Sequence, residues 1–306
     1  MANILLAGTP QTTITVAQAL MNAGHILVGV ICPFPKQIGR KQIVTPCELE
    51  IWAVQHHTPV FHVDRTILQN KALELPPADM LVVADFGFLI PAWLLHHPSH
   101  GALNLHPSLL PRWRGAVPVP LTILAGDTET GITIMKMNEK FDEGAVVAQK
   151  HVEVLPDDTT PTLLTRAFEV GAQLLIEILP KYLTGTLQET PQPKDSLTPT
   201  TFRFTREDGF VPLEMLKTAI NGKKLVGTLP LLEKYHIPLT VETLERMVRA
   251  LTPWPGVWTK LPDRKRVKIL ETRIEGNQLK LKMIQFEGKT TERITNHHSL
   301  WSGRGS

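Results

Sequence analysis

The sequence predicts an α/β protein, with a parallel sheet layered by helices and a smaller β-rich domain after it. Three observations carry that prediction. The opening reads strand, helix, strand: the apolar run Ile4-Leu5-Leu6-Ala7 stops at Gly8, residues 13–23 keep helical periodicity up to Gly24, and residues 26–31 form a second apolar run. A further buried-strand run, Met80-Leu81-Val82-Val83-Ala84, follows downstream. After residue 256 the pattern changes to short strands separated by turn signals, which fits a small barrel or sandwich.

Taken in order, the remaining elements extend this plan. Residues 47–57 read as a helix and Val60-Phe61-His62-Val63 as an extended segment. The stretch 85–91 follows the strand at 80–84 at its carboxyl end, where open α/β sheets bind their ligands. Residues 118–125 read as a helix, 131–138 and 145–154 as strands, and 160–182 as a long amphipathic helix. From 184 to 201 Thr, Pro, Gln and Ser dominate without periodicity, the signature of a linker crossing a domain surface. The expected division is therefore 1–183, a linker at 184–203, and 204–306. Within the last part, strands are expected at 256–259, 266–271, 278–286 and in a terminal segment.

Composition narrows the function classes. A chain of 306 residues, 42% hydrophobic and 20% charged, is long enough for two domains, each with its own core, and ordinary for a soluble protein. No apolar stretch reaches membrane-span length, and Met1-Ala2-Asn3 leads into an apolar run without a basic leader, so a cytoplasmic protein is expected. Cys32 and Cys47 offer neither a disulfide framework nor metal-ligand spacing, which suits a reducing compartment. The pairs His56-His57, His96-His97 and His297-His298 point apart on any regular backbone, and no metal is expected. The turn Gly8-Thr9-Pro10 lacks the three-glycine dinucleotide fingerprint, which argues against a nicotinamide or flavin.

Charge is distributed unevenly. Residues 1–200 hold 13 Lys and Arg against 18 Asp and Glu, a net −5, whereas residues 201–306 hold 19 against 11, a net +8. A domain with that excess gathers phosphates by counterion release, and Arg264, Lys265, Arg266 and Lys268 are its candidate phosphate contacts. Trp254 and Trp258 carry surfaces able to stack on bases, but a Pro-Trp-Pro-Gly turn more often anchors a domain in its own core.

The chemistry concentrates in Asn104-Leu105-His106-Pro107-Ser108-Leu109-Leu110-Pro111, followed by Arg112-Trp113-Arg114-Gly115. On an extended backbone Asn104, His106 and Ser108 point to one side. An amide donor beside an imidazole suits a developing oxyanion, since both aim N–H groups at the oxygen that gains charge. Leu109 and Leu110 between Ser108 and Pro111 make an apolar wall with few polar groups, the make-up of a small-molecule pocket.

Asn-x-His-x-Ser-Leu-Leu-Pro-x-x-Arg-Gly, joined downstream by Asp142-Glu143-Gly144, is similar to the signature of the 10-formyltetrahydrofolate-dependent formyltransferases. The likeness runs on through Ala7-Gly8-Thr9-Pro10, Gly39-Arg40, Gly131-Ile132-Thr133-Ile134-Met135, Arg206-Glu207-Asp208-Gly209, Pro253-Trp254-Pro255-Gly256 and Gln285-Phe286-Glu287-Gly288-Lys289, covering nearly the whole chain. The resemblance implies a Rossmann-like formyltransferase domain with a parallel-rich sheet, then an OB-like β-barrel. It implies transfer of a formyl group from 10-formyltetrahydrofolate to the α-amine of methionine on initiator tRNA, with Asn104 and His106 as oxyanion donors. Asp142 would orient the imidazole and help take the proton. Ser108, Leu109, Leu110 and Pro111 would line the folate pocket together with the 85–91 loop, here Phe86, Gly87 and Leu89. Arg40 and Lys41, in the loop 33–46, would contact the acceptor stem.

This chain departs from the family in two places. Many members carry Ala-Tyr-Gly where Asp85-Phe86-Gly87 stands, and a helical insertion is expected near 213–251. Two other functions fit parts of the pattern: formylation of an amino sugar nucleotide, and a catalytically silent RNA-binding protein of the same fold. The basic tail, Arg112-Trp113-Arg114-Gly115-Ala116 and Gly39-Arg40 favour tRNA over the sugar; the intact Asn104, His106 and Asp142 speak against a silent protein.

Overall fold

The computed structural model describes residues 1–39, 41–196 and 198–294. In chain order the elements are β1 (Asn3–Gly8), α1 (Gln11–Asn22), β2 (Ile26–Pro33), β3 (Lys36–Ile38), β4 (Ile43–Thr45), α2 (Glu48–Gln55), β5 (Val60–Val63), α3 (Arg65–Asn70), β6 (Met80–Ala84), α4 (Ala92–Leu95), β7 (Ala102–His106), α5 (Pro118–Ala125), β8 (Glu129–Lys136), β9 (Val146–Glu153) and α6 (Thr160–Leu183). A short 3-10 turn (Arg206–Gly209) then precedes α7 (Leu213–Ile220), α8 (Pro230–Lys234), α9 (Val241–Ala250), β10 (Val257–Lys260), β11 (Arg266–Glu275), β12 (Gln278–Phe286) and β13 (Thr291–Arg293).

Seven strands form the larger sheet, in the order β5-β2-β1-β6-β7-β8-β9. The pairs from β5 to β7 are parallel, while β7–β8 and β8–β9 are antiparallel. Near-continuous apolar runs are what such strands need, because helices cover both faces. The period of two sorts each run between two cores. Ile4, Leu6, Val82, Leu103 and Leu105 pack on one side with Leu20 of α1, Trp52 of α2 and Phe168 and Leu175 of α6. Leu5, Ala7, Leu81 and Val83 pack on the other with Leu68 and Leu94. Chain order reverses between β1 and β6, so the crevice at their carboxyl ends is a topological switch point. Thr13 seals that junction: its hydroxyl donates to the Ala84 carbonyl at 2.7 Å, and a Cβ at Gly8 would collide with both groups.

Two compact units emerge, one comprising 1–115, 129–153 and 164–200, the other 116–128, 154–163 and 201–306. In the second, β10-β11-β12-β13 make an antiparallel meander that no pairing closes among the described residues. Trp258 is buried there, its ring tilted against Phe210 with centroids 4.8 Å apart, and donates to the Arg206 carbonyl at 2.9 Å, whereas Trp254, the tryptophan of the Pro-Trp-Pro-Gly turn expected to anchor in the core, is exposed. The segment 213–251, where a helical insertion is expected, holds α7, α8 and α9. Thr240 caps α9 by accepting from the Thr243 amide, and Arg246 reaches from α9 to the Leu124 carbonyl at the end of α5.

Short elements escaped the sequence reading. The segment 33–46 holds a small antiparallel hairpin, β3–β4, and α3 and α4 are single short turns. Elements of three to six residues carry too few periodic positions to stand out.

Candidate functional site

β7 positions the central residues. Asn104 lies opposite Val83 of β6 and Met135 of β8, and His106 lies opposite Thr133. Because Leu103 and Leu105 face the α6 side, Asn104 and His106 share the other face. His106 is buried and Asn104 half-buried; among the described residues the Asn104 amide makes no side-chain hydrogen bond.

Ser108 does not continue that face. The strand ends at His106, and the Ser108 amide donates back to the His106 carbonyl at 2.8 Å, closing a tight turn at Pro107. The Ser108 hydroxyl is buried and donates to the Arg112 carbonyl at 2.7 Å. Thr133 holds the turn from the neighbouring strand, donating to the Ser108 carbonyl at 2.6 Å and accepting from the Leu110 amide at 3.1 Å. Leu109 packs half-buried over Gly131, Leu110 is buried, and Pro111 is half-buried.

Both halves of the sequence motif meet at His106. Its Nε2 lies 3.2 Å from the Trp113 carbonyl, so that nitrogen carries the proton; Nδ1 lies 3.8 Å from Asp142 Oδ2, an ion-pair separation too long for a hydrogen bond. The same Oδ2 accepts from the Gly115 amide at 2.9 Å. Asp142 sits at positive φ, and no side chain fits at Gly144, where a Cβ would lie 1.8 Å from the Lys136 carbonyl oxygen.

The segment expected as a plain linker is laced through this site. Gln192 donates to the carbonyls of Asp142 at 3.0 Å and Gly144 at 2.7 Å. Buried Arg114 donates to Gln192 Oε1 and to the carbonyls of Pro193 and Lys194. Ser196 and Thr198 bind the Pro111 carbonyl and the Trp113 amide. One glutamine therefore ties Arg114, in the first half of the motif, to Asp142 and Gly144 in the second. A lone Gln in a Thr- and Pro-rich run carries no signal by which the sequence reveals this.

The loop after β6 is of mixed exposure. Phe86 and Phe88 are half-buried with ring centroids 5.5 Å apart, Gly87 is exposed, and Leu89 is 64% exposed. Asp85, at positive φ, accepts from the Thr12 hydroxyl.

The basic candidates are exposed rather than built in. Lys41 is exposed in the 33–46 segment, whose hairpin also exposes Ile38, Ile43 and Val44; Arg40 lies outside the described residues. Arg264 occupies a turn at positive φ, and Lys268 is exposed on β11. Lys265 pairs with Asp263 at 2.9 Å and Arg266 with Glu287 at 2.6 Å. Glu287 thereby holds the Arg266 guanidinium above its ordinary value.

His56 and His96 bind carbonyls of their own helices, Trp52 and Ala92, and His97 binds the Pro76 carbonyl; His297 and His298 lie outside the described residues. Cys32 and Cys47, far apart in sequence, are neighbours. A hydrogen bond between them, reinforced by burial, holds the Cys32 thiol above its ordinary value, and the same bond draws Cys47 down to about 7.

Known families match this architecture. The formyl transferase model matches residues 4–179, and the formyl transferase C-terminal domain model matches residues 238–296. A methionyl-tRNA formyltransferase of Listeria monocytogenes is 33% identical over 277 residues, 90% of this chain and 80% of that protein. One from Chloroflexus aurantiacus is 34% identical over 260 residues, 84% of this chain and 75% of the relative. Among solved structures, the N-formyltransferase of Helicobacter canadensis, in complex with folinic acid and dTDP-3-aminofucose, shares the fold at a TM-score of 0.59 and 16% identity, over 90% of this chain and 88% of that one. With both domain models matched and a third of residues shared across most of its length, the chain belongs to the formyl transferase family.

Proposed function

We propose that this protein transfers the formyl group of 10-formyltetrahydrofolate to the α-amine of methionine carried on initiator tRNA, in the cytoplasm. The observation that carries the reading is the convergence of Asn104, His106 and Asp142 at the end of β7, in a chain whose relatives at this level of identity are methionyl-tRNA formyltransferases. The half-buried Phe86 and Phe88 and the exposed Leu89 of the loop after β6 suit a pterin, and the loop follows β6 at the sheet's switch point. No helix among the described residues is long and apolar enough to cross a membrane.

When bound, the folate supplies a formyl carbon whose oxygen gains negative charge as the amine adds. The Asn104 amide, without a side-chain partner among the described residues, is placed to donate to that oxygen. His106 joins it by giving up the Trp113 carbonyl. Asp142, anchored by the Gly115 amide and Gln192, holds the imidazole and accepts the proton the amine loses, through water; that proton passes to the folate nitrogen as the bond between it and the formyl carbon breaks, releasing tetrahydrofolate. Working boundaries of 1–183, 184–203 and 204–306 assign catalysis to the first part. tRNA contacts fall to Arg264, Lys265, Arg266 and Lys268, with Arg40 and Lys41 at the acceptor stem.

The test is direct. Charged initiator tRNA and an amino sugar nucleotide are offered side by side with the same folate donor. Formylation of the tRNA alone supports the proposal; formylation of the sugar alone overturns it, and activity on neither points to the silent RNA-binding protein.

A further inference from the structure

Away from His106, four side chains suited to a soft cation converge at the outer edge of the larger sheet. Cys32 lies near the end of β2, Cys47 is the N-cap of α2, Glu50 sits in the first turn of that helix, and His62 belongs to β5, the edge strand. Cys32 and His62 are register partners across the parallel pair, so their side chains leave the same face. The two sulfur atoms and a Glu50 carboxylate oxygen all lie within 4.8 Å of one another.

His62 Nε2 approaches Glu50 Oε1 to 3.0 Å, yet the two are not aligned as a hydrogen bond. Both that ring nitrogen and the second carboxylate oxygen, Glu50 Oε2, are buried with no hydrogen-bond partner among the described residues. Buried polar atoms nearly always have a partner, so two orphans in one cluster require a cause. A tetrahedral zinc, with bonds of about 2.3 Å to sulfur and about 2.0–2.2 Å to nitrogen or oxygen, holds its ligand atoms roughly 3.3–3.8 Å apart. The three atoms within 4.8 Å close onto such an ion with movements of about an ångström, and His62 Nε2, 3.0 Å from Glu50 Oε1, stands beside the carboxylate as the candidate fourth ligand.

We propose that Cys32, Cys47, Glu50 and His62 form a structural site for a borderline-soft divalent cation of the zinc class. Two thiolates select against calcium and magnesium, and four protein ligands leave no open position for substrate. The Phe34 ring, stacked on His62 with centroids 5.2 Å apart, holds the imidazole in place from the side of the loop.

Geometry also assigns the site a task. Cys32 and Cys47 flank the segment 33–46, which carries the β3–β4 hairpin and Lys41. A shared cation ties the two ends of that loop together and lowers the entropy its open forms would gain. The inference rests on the side-chain cluster alone, so its failure leaves the formyl-transfer reading untouched, and the reverse also holds.

The experiment uses the full chain purified from zinc-supplemented culture without chelators. Metal content is measured by plasma mass spectrometry, and cobalt(II) replaces zinc for optical reading of the thiolate-to-cobalt charge-transfer band. Expected are stoichiometric zinc, a cobalt band that falls by about half in Cys47→Ser, and zinc affinity about ten- to a hundredfold weaker in Glu50→Gln and His62→Gln. Chelation should speed proteolytic cutting within 33–46. Cys32 is fully buried, so the partly exposed positions carry the test, with circular dichroism confirming that each variant folds. A folded wild-type chain that takes up neither metal overturns the proposal. So does zinc retained unchanged in Cys47→Ser and Glu50→Gln, or a Cys32–Cys47 disulfide as the species isolated under reducing purification.

Discussion

The end of β7 and the turn that opens β11 both concentrate polar side chains, yet they are built on opposite principles. Around His106 the framework is held in place: the strand by two neighbouring strands, Asp142 by a backbone amide, and the Asp142–Gly144 turn by Gln192. Around Arg264 the charges stand in water, and two of the four are already matched by carboxylates. The first arrangement acts through position, which a transition state rewards. The second acts through net charge, which strengthens binding without fixing geometry. Removing a buried, oriented donor should therefore cost turnover, while removing a solvated cation should cost only affinity.

The sharpest way to break the comparison is at its buried pole. His106→Ala and Asn104→Ala are each expected to lower kcat by about two to three powers of ten, with folate binding held within about twofold, as for loss of an oxyanion donor. Steady-state kinetics paired with folate titration reads this; near wild-type turnover in either variant would remove that residue from the chemistry. Asp142→Asn keeps the bond from Gly115 available but removes the charge, and kcat should fall by about a hundredfold. If turnover and its pH profile both stay as they were, Asp142 only shapes the turn.

Gln192 tests whether position, rather than composition, sets the rate. It touches no reacting atom in the proposed mechanism, so Gln192→Ala should lower kcat by about tenfold through misplacement of Asp142 while leaving the apparent KM for tRNA nearly unchanged. Gln192→Glu, which keeps an acceptor for Arg114 but loses the donor to both carbonyls, should behave like the alanine variant. Full activity in Gln192→Glu would mean that the two carbonyl bonds do not matter.

At the exposed pole the effects are smaller. Neutralising Arg264, Lys265, Arg266 and Lys268 together should raise the apparent KM for tRNA with kcat nearly constant, because uniform binding is lost. The slope of log K against log salt should flatten by up to about 0.9 for each phosphate contact removed. Within the cluster, Arg264 and Lys268 should contribute more than Lys265 and Arg266, whose charges are partly matched by Asp263 and Glu287. Parallel salt lines for wild type and the fourfold variant would show that this face touches no phosphate.

The sequence by itself determined the architecture wherever the pattern was long. The βαβ opening, the buried run at β6, the long α6 and the three main strands of the second unit all follow from periodicity, since burial on one or two faces leaves a repeat of 3.6 or 2 along the chain. Asn104 and His106 stood out as residue types whose chemistry suits one site, and Asp142 entered through the resemblance of the paired motif; the structure sets Asp142 Oδ2 3.8 Å from His106 Nδ1. Only the tertiary structure decided which groups meet. It turned Ser108 out of the strand and into the Arg112 carbonyl, because proline at 107 ends the extended run. It also drew Gln192 out of an apparently featureless linker to bind Asp142 and Gly144, and it gathered Cys32, Cys47, Glu50 and His62 at one sheet edge despite spacings that match no ligand motif. Periodicity records how much of each segment is buried, whereas a contact between distant residues depends on strand order and register, which leave no local trace in the chain.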